Sequence, residues 1–161
     1  MGGKIEIRKG EAKNAQDFVN LVKELAEFEK LKGPDKDAQH RLIEDGFGKN
    51  KKFNILLAFE GKKAVGYAVY FFTYSTFLAR STVYLEDIFV LEETRVKGIG
   101  KKLFLACAME AVKNECNRME FSVLDWNVNA IKFYEKLGAK RLREWLYYRL
   151  DYQDLKKLLE Q

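Results

Sequence analysis

The stretch Tyr84-Leu85-Glu86-Asp87-Ile88-Phe89-Val90, followed shortly by Arg95-Val96-Lys97-Gly98-Ile99-Gly100, decides the fold class. Two adjacent carboxylates interrupt an apolar, strand-like run, and a basic, glycine-punctuated turn then leads straight into a helical pattern. Such a strand–turn–helix presents a row of backbone N–H groups at a helix N-terminus, where unpaired donors and the helix dipole suit a phosphate. Glycine at 98 and 100 lets the backbone approach that group where a Cβ would obstruct it. The carboxylates stand one short loop away. The first expectation is a phosphate-bearing cofactor beside a proton acceptor. The turn is neither a Walker motif nor a Rossmann fingerprint, because neither G-x-x-x-x-G-K-[ST] nor G-x-G-x-x-G occurs in the chain.

Working outward, residues 4–8 alternate as a short strand, and Phe18, Leu21, Val22, Leu25 and Phe28 recur at helical spacing, with Asn14 or Asn20 as start signals. Gly33-Pro34-Asp35 breaks that helix, and residues 37–47 read as a second one ending at Gly48. Residues 53–60 and 63–73 are β-rich runs around Glu60-Gly61-Lys62, which predicts a hairpin. Residues 82–90 form a third strand, whose nearly continuous apolar end suits burial on both faces. Downstream, Leu103, Phe104, Cys107, Ala108 and Ala111 mark a helix over 98–117. A strand follows over 118–124, then a helix over 127–137 that stops at Gly138. Residues 140–150 read as one or two final strands, and Asp151 caps a last helix through Leu159. Hairpins first and β-α-β crossovers later imply an α/β fold, with a mixed, mostly antiparallel central sheet and helices on both faces.

The 161 residues suit a single domain spanning 1–161 with a real hydrophobic core. A 47% hydrophobic and 33% charged composition excludes a disordered chain. No apolar run approaches the ~20 residues of a membrane span. No apolar leader opens the chain, so a cytoplasmic location is expected and membrane association is not. Met1-Gly2 would suit myristoylation, but Glu6 stands where that motif needs Ser or Thr. Cys107, Cys116 and the single His40 supply neither a zinc set nor a CxxC pair, so no metal is expected. The net charge of +5 is spread over scattered lysines, which argues against a nucleic-acid surface.

A second constellation is Trp126-Asn127-Val128-Asn129-Ala130-Ile131-Lys132-Phe133-Tyr134-Glu135-Lys136-Leu137-Gly138-Ala139. With it, the chain resembles the GNAT superfamily of acetyl-CoA-dependent N-acetyltransferases. The R-x-x-G-x-G turn resembles the superfamily's pyrophosphate loop, and N-x-x-A-x-x-F-Y-x-x-x-G-A resembles its last conserved helix. The diamine (spermidine/spermine) and thialysine branch is the closer likeness. Leu25 to Leu31, Glu44-Asp45-Gly46-Phe47-Gly48, Tyr70 to Thr76 and the Tyr84 strand carry it, so the resemblance covers nearly the whole chain.

The resemblance implies a cofactor set of the backbone of Ile88, Phe89 and Val90, the turn residues Arg95, Val96, Lys97, Gly98, Ile99, Gly100 and Lys101, and Asn127, Asn129 and Tyr134. An alkyl ammonium with a pKa of about 10.4 is almost wholly protonated near pH 7, so the enzyme must take a proton from it, and Glu86 is placed for this. The N–H groups of Ile88 to Val90 suit the developing oxyanion. The phenol of Tyr134 is the family's general acid for the departing thiolate. On spacing alone, Tyr134 also reads as a core aromatic, Asn127 as a helix cap, and Lys97, Lys101 and Lys136 as solvated surface. A carboxylate pair inside an apolar strand is costly without a purpose.

Phe28, Glu29, Glu86, Asp87, Glu120, Phe121, Ser122 and Glu144 match positions where the family holds its amine. The polyamine enzymes carry an acidic cluster after the first helix and an Asp after Phe-Thr-Tyr. Here Lys32-Gly33-Pro34 and Ser75-Thr76 stand instead, which favours a lysine-like amine over spermidine or spermine. A protein or peptide N-acetyltransferase and a CoA-binding module without catalysis are the alternatives. The family likeness also implies a homodimer, with the helix from Tyr152 reaching across to the partner.

Overall fold

The structure, a computed structural model, describes residues 3–160; Met1 and Gly2, and with them the lipidation reading, lie outside the described residues, as does the side chain of Val96. The chain divides into two compact units, Met1–Ser122 and Val123–Gln161.

The first unit is built on a five-stranded sheet in the order β1-β2-β3-β4-β5. Strands β1 (Ile5–Lys9), β2 (Asn54–Glu60), β3 (Lys63–Ser75) and β4 (Arg80–Val90) pair antiparallel, and β5 (Met119–Glu120) lies parallel to β4. The parallel pair needs a crossover, which α3 (Ile99–Lys113) provides. Alternation along the strands sorts side chains to two faces. Ile55, Leu57, Phe59, Tyr67, Val69 and Phe89 meet Phe18 and Leu21 of α1 (Ala15–Phe28) on one face. Leu56, Ala58, Ala68 and Tyr70 alternate to the other, where Leu103, Cys107 and Ala111 bury the stripe of α3 and the Tyr70 hydroxyl meets Glu110. Helices therefore cover both faces of a mostly antiparallel sheet, as the sequence predicted. Phe18 is 1% exposed and packs edge-on to Tyr67 with ring centroids 5.3 Å apart. Burying such a ring stabilises the fold by about 1.5–3 kcal/mol.

The helix α1 ends where Lys30 turns left-handed (φ 56°) and the Leu31 N–H reaches back to the Ala26 carbonyl at 2.9 Å. Asp35 then caps α2 (Lys36–Phe47), accepting from the Ala38 N–H at 2.9 Å, so the predicted break before Asp35 forms.

In the second unit, the Asn127 side chain accepts from the Ala130 N–H at 3.2 Å and starts α4 (Val128–Lys136). A capping box between Asp151 and Asp154 starts α5 (Tyr152–Leu159). Two strand expectations are corrected. The strand predicted over 118–124 shrinks to Met119–Glu120, and the one or two predicted over 140–150 do not form. A strand is held by its ladder, and among the described residues the second unit has no strand to pair with, so residues 140–150 stay exposed. Short β5 has a different cause, which lies in β4.

Candidate active site

Strand β4 carries a β-bulge at the carboxylate pair. Val69 pairs with Asp87 and Tyr70 with Leu85, which leaves Glu86 as the extra residue with an exposed side chain. A bulge bends its strand and increases the local twist. The only β4 residues that β5 pairs with are Val83 and Tyr84, before the bend. From Leu85 to Val90, the backbone edge facing away from β3 has no strand partner among the described residues. Its open donors and acceptors include those of Ile88, Phe89 and Val90.

The bulge also places both carboxylates at a cavity of about 460 Å³. Phe18 and Val22 of α1, Leu42 of α2, Phe53, and Val69 and Phe71 of β3 line it, and its only charged lining residues are Glu86 and Asp87. The Tyr67 hydroxyl donates to Asp87 Oδ2 at 3.3 Å. Burial first, then the neighbouring Glu86 and Glu29, push the Asp87 carboxyl from 3.8 up to about 6, against the opposing effect of the Tyr67 hydrogen bond. Burial likewise raises Glu29 above the usual carboxylate range. An apolar slot with gathered carboxylates is chemically suited to an alkyl ammonium, whose chain it desolvates and whose charge it pairs.

The glycine turn lies at the end of the same strand. Residues Glu92–Lys97 form a 3-10 helix, and Gly98 is left-handed (φ 70°) as it opens α3. A Cβ there would meet nothing within 4 Å, so the turn presents bare backbone to open space. Among the described residues no side chain caps α3, and its first-turn N–H groups keep their capacity for an external acceptor. Ile99 is fully buried, so backbone is what it can offer, whereas Lys101 is exposed. Lys97 Nζ pairs with Glu60 Oε1 at 2.6 Å. The Arg95 guanidinium lies 4.5 Å from the Phe28 ring centre and 5.8 Å from that of Phe89, and its Nε donates to the Val90 carbonyl at 3.1 Å. Arg95 thus ties the turn to Phe28 at the end of α1.

The remaining predicted residues are placed elsewhere. Glu120 pairs with Arg118 Nε at 2.9 Å, Phe121 meets Phe104 edge-on at 5.6 Å, and Ser122 is exposed. These three do not line the cavity. In the second unit, Tyr134 is buried on α4 with its ring 5.2 Å from that of Phe133. Asn127 caps that helix, Asn129 is exposed, and Glu144 is exposed outside any helix or strand. Sequence reading missed Tyr67 and the apolar lining. Their signal was the period-two run Tyr67, Val69, Phe71, which a strand turns to one face.

Among the described residues, no cluster of three or more His, Cys, Asp or Glu side chains is arranged to hold a metal ion, and no helix is long and apolar enough to cross a membrane. The acetyltransferase (GNAT) family model matches residues 17–139. The chain is 38% identical to a thialysine N-epsilon-acetyltransferase of Mus musculus over 163 residues, covering 94% of this chain and 95% of that one. It is 32% identical to the spermidine/spermine N(1)-acetyltransferase-like protein 1 of Homo sapiens, over 93% of this chain and 23% of that one. A solved integron cassette protein of V. cholerae superposes with a TM-score of 0.83 at 27% identity, over 99% of this chain and 100% of the other. Carboxylates at a β4 bulge, a bare glycine turn at the head of α3 and these likenesses agree: the chain belongs to the GNAT acetyltransferase family.

Proposed function

We propose that this acetyltransferase moves the acetyl group of acetyl-CoA directly onto the terminal amine of a small substrate, either a thialysine- or lysine-like amino acid or a short diamine. The observation that carries this reading is the apolar cavity whose charged lining consists of Glu86 and Asp87, with Glu29 close enough to perturb Asp87. A long polycation calls for more carboxylates than that. Three thialysine N-epsilon-acetyltransferases among the relatives, at 35% to 38% identity, support the lysine-like choice.

Acetyl-CoA supplies an activated acyl group. The residues present fit it, since the uncapped α3 N-terminus and the open space at Gly98 suit its phosphates. In this reading the backbone of Gly98, Ile99 and Gly100 would receive the pyrophosphate, and Arg95, Val96, Lys97, Lys101, Asn127 and Asn129 are the further residues proposed to bind the cofactor. The open edge of Ile88 to Val90 would hold the pantetheine arm and offer its N–H donors to the thioester carbonyl. Glu86 accepts the ammonium proton, Asp87, Glu29 and Phe28 hold the amine, and the Tyr134 phenol protonates the departing thiolate. Glu120, Phe121, Ser122 and Glu144 are proposed as amine-binding residues on the family likeness alone.

One catalytic domain acting as a homodimer completes the proposal. Trp145, Tyr147, Tyr148, Leu155 and Leu159 are all exposed in a segment whose composition suits burial, and a second copy is the partner that would cover them. The two free cysteines agree with a reducing, cytoplasmic location.

The test is acetyl-CoA consumption with thialysine, lysine, diaminopropane, putrescine, spermidine and peptide acceptors. Turnover is expected to be highest with thialysine or lysine. Turnover of peptides alone, or of none, overturns the acceptor assignment. Tyr134→Phe is expected to lower kcat by about 10²-fold or more. An unaltered rate would remove Tyr134 from catalysis.

A further inference from the structure

Tyr67 is wholly buried on β3, in a position where the hydrocarbon core would accept a phenylalanine. Its ring is held between Phe18, edge-on at 5.3 Å, and Phe89, tilted at 6.4 Å. A buried hydroxyl is costly unless it is paired, and this one is paired with a single carboxylate, that of Asp87. The pairing follows from register. Tyr67 stands opposite Phe89, and Asp87 lies two residues before Phe89, on the same face of the sheet. Asp87 also lines the cavity.

From this geometry we propose that Tyr67 is a positioning residue, whose clamped phenol fixes the Asp87 carboxylate as the anchor for the substrate ammonium and so sets the preference for cationic amines. The inference rests on the acceptor reading above and deepens it. A carboxylate has about four acceptor sites, and the phenol takes one, so capacity remains for an ammonium. The groups facing Asp87 are Tyr67 from β3, Glu86 from β4 and Glu29 from the end of α1, while α2 contributes apolar Leu42 to the cavity. Both carboxylates oppose ionisation of Asp87, and the Tyr67 donor favours it. Burial raises the Tyr67 phenol well above its ordinary value, with Asp87 adding to the rise, so it stays a donor through neutral pH.

Tyr67→Phe removes the donor with little change in volume. Hydrogen bonds to charged groups are strong enough that KM for the amine should rise about tenfold at pH 7, with KM for acetyl-CoA unchanged. The acidic limb of kcat/KM for the amine should move up by about one pH unit, because the ionised carboxylate has lost its donor. Adding Tyr67→Phe to Asp87→Asn should change neither quantity further. A merely structural tyrosine would lower the melting temperature and leave the limb in place. An unmoved limb with an unchanged amine KM overturns the proposal, as does a full tyrosine effect in the Asp87→Asn background. A carbon-13 NMR titration of the Asp87 carboxyl in wild type and Tyr67→Phe reads the pairing without turnover. An unshifted titration overturns the inference even if the amine assignment fails, whereas absent wild-type turnover overturns only the acceptor reading.

Discussion

Gly66 on β3 faces Val90 on β4, and an added Cβ would sit 2.7 Å from the Phe89 carbonyl oxygen, 3.2 Å from Val90 Cγ2 and 3.3 Å from Val90 Cα. Ordinary contacts between carbon atoms lie at about 3.5–4.0 Å, so Gly66→Ala demands a local shift of about 0.5 Å or more. A flexible side chain cannot absorb it, because the nearest atom is backbone in the strand proposed to carry the thioester. Overpacking of this kind costs about 1–3 kcal/mol. In a chain of this size that corresponds to a fall in Tm of about 2–10 °C. The same shift moves the donors of Ile88 to Val90, and misplacement by about 1 Å costs on the order of 10²-fold in rate, so kcat should fall about tenfold. Urea denaturation followed by tryptophan fluorescence gives the stability, and steady-state kinetics at a temperature where the variant is folded gives kcat. Unchanged stability would refute the packing argument. A destabilised variant with wild-type kcat would refute the role given to the Ile88 to Val90 edge.

Two further predictions concern stability. Burial raises the Asp87 carboxyl from 3.8 to about 6 in the folded state, with Glu86 adding to the rise. The stability linked to its protonated form is therefore complete below about pH 4 and lost as pH rises through about 6, a change of at most about 3 kcal/mol. Asp87→Asn should accordingly be more stable than wild type at pH 8 by about 1–3 kcal/mol and little different at pH 4, while losing activity. Denaturation curves that differ equally at both pH values would contradict this. At the end of α3, Glu115 is left-handed (φ 53°), and the Cys116 N–H reaches the Ala111 carbonyl at 2.9 Å. Glu115→Gly relieves that conformation and should raise stability by about 0.5–1 kcal/mol, measured by urea denaturation; a loss would refute the strain assignment.

The sequence was most legible where a local pattern and a packing requirement coincide. The stripe of α1, the break at Gly33-Pro34-Asp35 and the hairpin at Gly61 could be read because each is specified within a few residues. The glycine turn before α3 was legible for the same reason. Reading failed over residues 140–150, whose aromatic-rich run finds no ladder in its own unit among the described residues, and a strand without a partner is not held by composition alone. It also overextended β5, because a bulge thirty-odd residues earlier decides where the pairing of β4 stops.

The chain by itself determined the chemistry on offer: adjacent carboxylates Glu86 and Asp87 in an apolar strand, a bare glycine turn one loop later, and the Asn127–Tyr134 spacing that marks the family. These are properties of residue type and short separation, which sequence carries directly. Only the tertiary structure decided how the carboxylates differ. Register makes Glu86 the unpaired bulge residue and turns Asp87 inward to the Tyr67 phenol. Both outcomes depend on the pairing of β3 with β4 and on burial beneath α1, and these non-local contacts leave no mark on either strand read alone.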